Sequence, residues 1–317
     1  RKHKQTLIMK VHKDDMEKQK VLFILGATGS GKSDLAVKLA KFFDGEIISA
    51  DSVQIFKQFN IGSAKVTKDE MQGVVHYGID LIEPNAEFTV YDYVEYTKKM
   101  IDIIAKKGKL PIVVGGTGLY VKSLIEGYNF GDTEKHSDYR EGLEKEIEKN
   151  GLESVYNKLL KLDEKLAKSI DRHNPVRVIR ALEIAKFGSN KTKNNVCEYD
   201  FKIIATSLDR ELLYKKINKR VDQMLESGLI DEVKAIYNRY GENLQPMKAI
   251  GYKEVLKYIK GEINLSEMSE LIKKNTRNYA KRQLTFLRGL KNVDYIDNSN
   301  KEKALMVAKE DIEKWLK

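Results

Sequence analysis

The chain has 317 residues, of which 41% are hydrophobic and 33% charged, with four prolines. That balance predicts a soluble, helix-rich globular protein with a large core and room for one accessory unit. No apolar run approaches the roughly 20 residues that span a bilayer, and the single cysteine, Cys197, excludes an internal disulfide framework and any cysteine-based zinc site.

The formal net charge of +10 matters most where it is concentrated. Residues 1–19 read as a basic leader, disordered or foreign to the fold. They lack the apolar stretch of a secretion signal, and Asp14, Asp15 and Glu17 argue against a transit peptide. The expected location is the cytoplasm of a bacterial-type cell, or an organelle, and the protein is not expected to be secreted or membrane-bound. A monomer is expected.

"VLFIL" (21–25) is a short apolar run, the pattern of a buried strand, and "GATGSGKS" (26–33) follows it directly. "SDLAVKLAKFF" then places Leu35, Leu39 and Phe42 at helical spacing, with Gly45 as the expected stop. "EIISAD" predicts a second strand ending at Asp51, "YDYVEYTKKMIDIIAKKGK" a helix with Gly108 past its end, and "LPIVVGG" a third buried strand. This alternation implies a parallel sheet covered on both faces, with its chemistry at the C-terminal ends of the strands. After Gly127 the texture becomes densely charged and helical, so residues 131–172 read as a helical insertion. "FKIIATSLD" (201–209) resumes the sheet, and helical patterns run from Arg210 to the end. The predicted fold class is α/β: a P-loop NTPase-like parallel sheet flanked by helices, formed by residues 20–130 and 173–317, with the insertion and a helical C-terminal region.

"GATGSGKS" is the G-x-x-x-x-G-K-S phosphate loop. Its glycines Gly26, Gly29 and Gly31 let backbone N–H groups approach a phosphate, and the following helix adds the positive end of its dipole. Lys32 supplies a full charge, and the Ser33 hydroxyl suits a magnesium ion. A chance glycine-rich turn would lack the strand before it and the helix after it. Hydrolysis asks for more. P-loop hydrolases usually carry an Asp at the end of a second apolar strand, whereas "PIVVGGTGLY" ends in Gly115, Gly116 and Thr117. The carboxylate stands instead at Asp51, followed by Ser52, Val53 and Gln54. That group suits recognition of a base or amine better than activation of water, with an N-cap for the next element as the plainer reading.

At these residues the chain resembles the tRNA dimethylallyltransferases, also called tRNA isopentenyltransferases. "GATGSGKS", "GEIISADSVQIFKQFNIGSAK", "GKLPIVVGGTGLYVKSLIEG", "RVIRALEI" and "YAKRQLTFLR" occur in that family's order across residues 20–290, and "MKAIGYKEV" fits as well. The resemblance implies transfer of a dimethylallyl group from dimethylallyl diphosphate to N6 of the adenosine just 3′ of the anticodon. On that view Gly26, Ala27, Thr28, Gly29, Ser30, Gly31, Lys32 and Ser33 bind the diphosphate, with Mg²⁺ near Ser33. Asp51 is the general base, while Thr117 and Lys32 act on the leaving group. Asp51, Ser52, Val53, Gln54, Thr117, Arg140, Val176, Arg177, Val178, Ile179 and Arg180 would contact the anticodon stem-loop of tRNA. The target adenine must be swung out of its stack to react.

The chain departs from the family pattern at Val75-His76-Tyr77, which replaces a Pro-His-His run, and its single cysteine leaves no terminal zinc finger. His136 reads as a surface residue. Residues 271–293 carry seven Lys or Arg and no acid. In that segment Lys274, Arg277, Lys281 and Arg288 share one helical face suited to RNA backbone, and Ile272, Tyr279, Phe286 and Leu290 form the side expected to pack on the core. Two alternatives remain open: an adenylate isopentenyltransferase acting on free AMP, ADP or ATP, and a P-loop kinase.

Overall fold

The computed structural model describes residues 18–126, 128–129, 137–188, 192–193 and 199–317. Expectations for residues 1–17, His136 and Cys197 lie outside the described residues. The fold separates into two compact units, Arg1–Ile125 with Cys197–Lys317, and Glu126–Val196.

In the first unit, strand β1 (Gln19–Gly26) is buried from Val21 onward. Helix α1 (Lys32–Phe42) buries Leu35, Ala36, Val37, Leu39 and Ala40. The chain then reverses at Asp44, whose φ is 51°. Gly45 is therefore not the stop predicted for α1: it opens strand β2 (Gly45–Ala50), every residue of which is buried. Next come the one-turn helix α2 (Lys68–Met71), strand β3 (His76–Tyr77), helix α3 (Val90–Lys106), strand β4 (Leu110–Gly115) and helix α4 (Gly118–Ile125). A capping box fixes the start of α3: the Thr89 side chain accepts from the Asp92 N–H, and the Asp92 carboxylate accepts from the Thr89 N–H.

The second unit holds helices α5 (Ser137–Asn150), α6 (Leu152–Leu162), α7 (Glu164–Ser169) and α8 (Pro175–Phe187), together with an antiparallel pair, β5 (Tyr128–Asn129) and β6 (Thr192–Lys193). Its core joins Val155 and Leu159 of α6 to Ala167 of α7 and to Val178, Ala181 and Leu182 of α8. The unit extends beyond the 131–172 stretch marked by composition because the apolar side of α8 is buried in that core. Asn174 caps α8 by accepting from the Arg177 N–H, and Pro175 follows in the first turn, where a missing N–H costs nothing.

The first unit resumes with β7 (Tyr199–Ser207), α9 (Arg210–Glu226), α10 (Leu229–Tyr240), a short 3₁₀ turn, α11 (Tyr252–Ile259), α12 (Leu265–Arg288), β8 (Val293–Asp297) and α13 (Lys301–Leu316). The sequence reading missed β3 and β8, and both are edge strands. A two-residue strand, and one in which only Ile296 is buried, leave no continuous apolar run to detect.

The six strands pair in parallel in the order β3-β2-β4-β1-β7-β8. On one face α1 and α13 pack against Leu22, Ile24, Ile47, Ile112, Ile204 and Ile296; α3 and α12 also pack against the sheet. The register brings three strand ends level. Gly115 pairs with Leu25 on one side and with Ala50 on the other. The phosphate loop, the Gly116-Thr117 turn and Asp51 therefore emerge side by side from adjacent strand ends. The connections that leave β1 and β4 run in opposite directions across the sheet, toward β2 and toward β7, which makes this the switch point at which open α/β sheets bind ligands.

Candidate active site

The phosphate loop is shaped from outside. Gly31, the N-cap of α1, takes φ 83° and ψ 15°, and a Cβ there would come within 2.5 Å of Asn298 Nδ2. Asn298, just past β8, donates to the Ser30 carbonyl at 2.8 Å. Ser30 Oγ lies 2.6 Å from Thr206 Oγ1 of β7. The side chains of Ala27 and Ser30 are buried, so both residues can meet a phosphate only through their backbone. The Thr28 N–H is already committed, donating to Gln283 Oε1 at 2.8 Å.

Lys32 and Ser33 line a cavity of about 990 Å³, which also reaches Asp51, Gln54 and Gly116. Helix α9 contributes Lys216, Lys219, Arg220 and Gln223 to its wall. Arg220 Nη1 donates to Thr28 Oγ1 at 3.3 Å. Burial, then the Arg220 charge, lower the Lys32 pKa to about 8, with Asp51 pulling the other way. Among the described residues no three His, Cys, Asp or Glu side chains group to hold a metal. Beside Ser33, the Asp34 carboxylate is paired with Lys38 and Lys301.

Asp51 serves its own turn and the cavity together. Oδ1 accepts from the Val53 N–H at 2.8 Å and the Gln54 N–H at 3.1 Å, so the capping role and the cavity position coexist. Ser52 and Val53 are half-buried in that turn. Gln54 Nε2 donates to the Ser63 and Ala64 carbonyls, which holds its side chain against the loop. This loop has a further anchor. Glu232 of α10 accepts from the N–H groups of Asn60, Ile61 and Gly62, and Tyr252, from "MKAIGYKEV", donates its hydroxyl to Glu232 at 2.7 Å. The Thr117 N–H reaches the Ala50 carbonyl at 3.4 Å, which ties the β4 turn to the β2 end.

Tyr279 corrects one expectation. It does not join the core with Ile272 but lines the cavity, its phenol facing Thr117 and Gln283. Burial first, and then the charge of Asp51, raise its pKa. Lys281 is exposed on α12, whereas Arg277 is half-buried and donates to Asn218 Oδ1 at 2.7 Å. Gln283, Arg220, Asn298 and Glu232 escaped the sequence reading. None sits in a phosphate or carboxylate motif, and their reach depends on helix phase and on contacts formed across the fold.

In the second unit, Val176 is 74% exposed, and Arg177 and Arg180 are exposed too. Val178 and Ile179 are buried in the core of that unit. On a 3.6-residue period they fall on the inward face of α8, so within the Val176–Arg180 stretch it is Val176, Arg177 and Arg180 whose side chains meet solvent. Arg140 binds the Glu183 carboxylate through two nitrogens, and Arg180 Nη1 donates to Glu183 Oε2 at 2.9 Å. Burial works against the charge on Glu183, but the two guanidinium groups outweigh it and hold its pKa below the usual value.

The sequence pattern of IPP transferases matches residues 54–290. A tRNA dimethylallyltransferase from Bacillus anthracis is 43% identical over 294 residues, covering 91% of this chain and 94% of its own length. The chain belongs to the IPP transferase family. Among solved structures, the full-length tRNA isopentenylpyrophosphate transferase of Bacillus halodurans is 42% identical, with a TM-score of 0.73 and coverage of 94% and 97% of the two chains. A eukaryotic dimethylallyltransferase described as acting on tRNA superposes with a TM-score of 0.78 at 28% identity, over 93% of this chain and 80% of its own. Among the described residues, no helix of this family member is long and apolar enough to cross a membrane.

Proposed function

We propose that this IPP transferase moves a dimethylallyl group from dimethylallyl diphosphate to N6 of the adenosine 3′ to the anticodon of a tRNA. One observation carries the reading. A single cavity joins a cationic phosphate cradle, Lys32 with Arg220, to a carboxylate at the next strand end but one, Asp51, and the strand between them ends in glycine.

The adenine N6 lone pair is delocalised into the ring, so attack needs a base to take the amine proton. Asp51 accepts that proton as the N6–C1 bond forms and the allylic C1–O bond breaks, and the bond electrons leave with the diphosphate. The loop N–H groups, Lys32 and the α9 cations hold the departing oxygens. Gln54 presents its side chain to the adenine from the turn that Asp51 caps, while Thr117 and Tyr279 flank the reacting centre. Mg²⁺ keeps most of its water shell and needs few protein ligands, so the Ser33 hydroxyl at the cavity wall suits it despite the lack of a carboxylate cluster. Bound there, it would neutralise diphosphate charge.

Arg177 and Arg180, with Arg140 held by Glu183, form a guanidinium surface suited to RNA phosphates on the second unit. On the first unit, Lys274, Lys281 and Arg288 do the same on α12. A tRNA acceptor is in keeping with a protein of the cytoplasm or of an organelle that modifies its own tRNA. Incubation with labelled dimethylallyl diphosphate, Mg²⁺ and either tRNA or AMP tests the reading, with label expected in tRNA. Label in AMP alone would favour the adenylate enzyme, and γ-phosphate transfer from ATP would favour a kinase.

A further inference from the structure

Gln283 stands between the two halves of the site without a part in the chemistry described so far. Its side chain, on α12, is only 6% exposed, and its amide links two loops. Oε1 accepts the Thr28 N–H at 2.8 Å, and Nε2 donates to the Gly116 carbonyl at 3.0 Å. Thr28 belongs to the loop that would hold the diphosphate. Gly116 precedes Thr117 and follows Gly115, which pairs with Ala50, the neighbour of Asp51. A Cβ at residue 116 would lie 2.1 Å from Gln283 Nε2. The amide thus occupies the space next to the strand end where a P-loop hydrolase would carry its carboxylate, which explains the glycine there.

We propose that Gln283 is a positioning residue: its amide fixes the separation between the phosphate loop and the strand ends bearing Thr117 and Asp51, and so the distance across which electrophile and amine meet. The inference rests on the prenyl-transfer reading. A reaction between two separately bound partners depends on their spacing, and a misplacement of about 1 Å can cost about 10²-fold in rate. A buried amide whose donor and acceptor are both engaged on the backbone of the two loops holds that spacing through them. It also withdraws the Thr28 N–H from the phosphate, which leaves the N–H groups beyond Thr28 to hold it.

Gln283→Met keeps the length and removes both hydrogen bonds. The expected result is a fall in kcat on the order of 10²-fold, with the KM for tRNA and the affinity for inorganic diphosphate within about threefold of wild type. Gly116→Ala drives a methyl group into the same amide and should lose a similar factor. Gln283→Ala removes the nearer obstacle and leaves the Gly26 carbonyl at 3.0 Å from that methyl group, so the Gly116→Ala/Gln283→Ala double variant should be no slower than the worse single variant. An unchanged kcat in Gln283→Met overturns the inference, as do losses that multiply in the double variant. Thermal melting of each variant sets an assay temperature at which it is folded, so instability cannot stand in for lost positioning. A wild type that does not prenylate tRNA overturns the underlying reading. An active wild type beside a fully active Gln283→Met overturns the positioning role alone.

Discussion

A lysine whose pKa is drawn down to about 8 is half-neutral at a pH where most lysines are still cations. Burial disfavours its charge and Arg220 repels it, and the attraction of a bound anion offsets both. Below about pH 8 Lys32 carries its charge and attracts diphosphate; above it the loop loses that charge and affinity falls. Because a bound anion raises the pKa again, diphosphate binding at about pH 9 should take up a fraction of a proton. Calorimetry in two buffers of different ionisation enthalpy measures this uptake, and Lys32→Arg should abolish it. Asp51 allows an equally sharp test. Asp51→Asn keeps an oxygen for the Val53 and Gln54 N–H groups but cannot accept a proton. Prenyl transfer should fall by about 10²- to 10⁴-fold, while tRNA affinity measured by filter binding stays within a factor of about three. A parallel loss of both would make Asp51 a structural residue.

At the scale of elements, the loop after β2 is held by groups that arrive late in the chain. Three consecutive N–H groups, of Asn60, Ile61 and Gly62, converge on one carboxylate, Glu232, which also receives the Tyr252 hydroxyl. Glu232→Ala leaves these donors without their charged acceptor. It should lower stability by about 1.5–3 kcal/mol, read from the denaturant midpoint, and weaken tRNA binding because the Gln54 turn loosens with the loop. A midpoint equal to wild type would show that water replaces the carboxylate. The central elements were plain in the sequence because β1, β2 and β4 are buried along almost their whole length and read as unbroken apolar runs. The edge strands β3 and β8 were not, since an edge buries too little to leave a pattern. Helix α8 shows the same limit: "VRVIR" has the right residues, but only burial separates Arg177 and Arg180, which face outward, from Val178 and Ile179, which do not.

For the whole molecule, a net charge of +10 gains meaning from its placement. Lys274, Lys281 and Arg288 are exposed along α12, while Arg277 is held by Asn218. Changing the three exposed residues together to Ala should weaken tRNA binding and reduce the slope of log affinity against log salt by about one unit for each phosphate contact removed. An unchanged slope would return that face to solvent. Arg277→Ala alone should change the slope less than Lys281→Ala, because its guanidinium already serves the α9–α12 contact.

The phosphate-loop motif, the parallel sheet and two residues of the proposed site that line one cavity, Lys32 and Asp51, were legible in the sequence alone. Each of these is written in contiguous residues whose spacing follows directly from the period of a strand or a turn. Tertiary structure alone decided what holds them in place. Gln283, Asn298 and Arg220 reach the loop from 192 to 268 residues away in the chain. A hydrogen bond closed across such a distance leaves no periodicity, since it depends on where folded elements meet and not on which residues are neighbours. The glycine at 116 is the clearest case: the sequence shows a missing carboxylate, and the fold shows the amide that stands beside it.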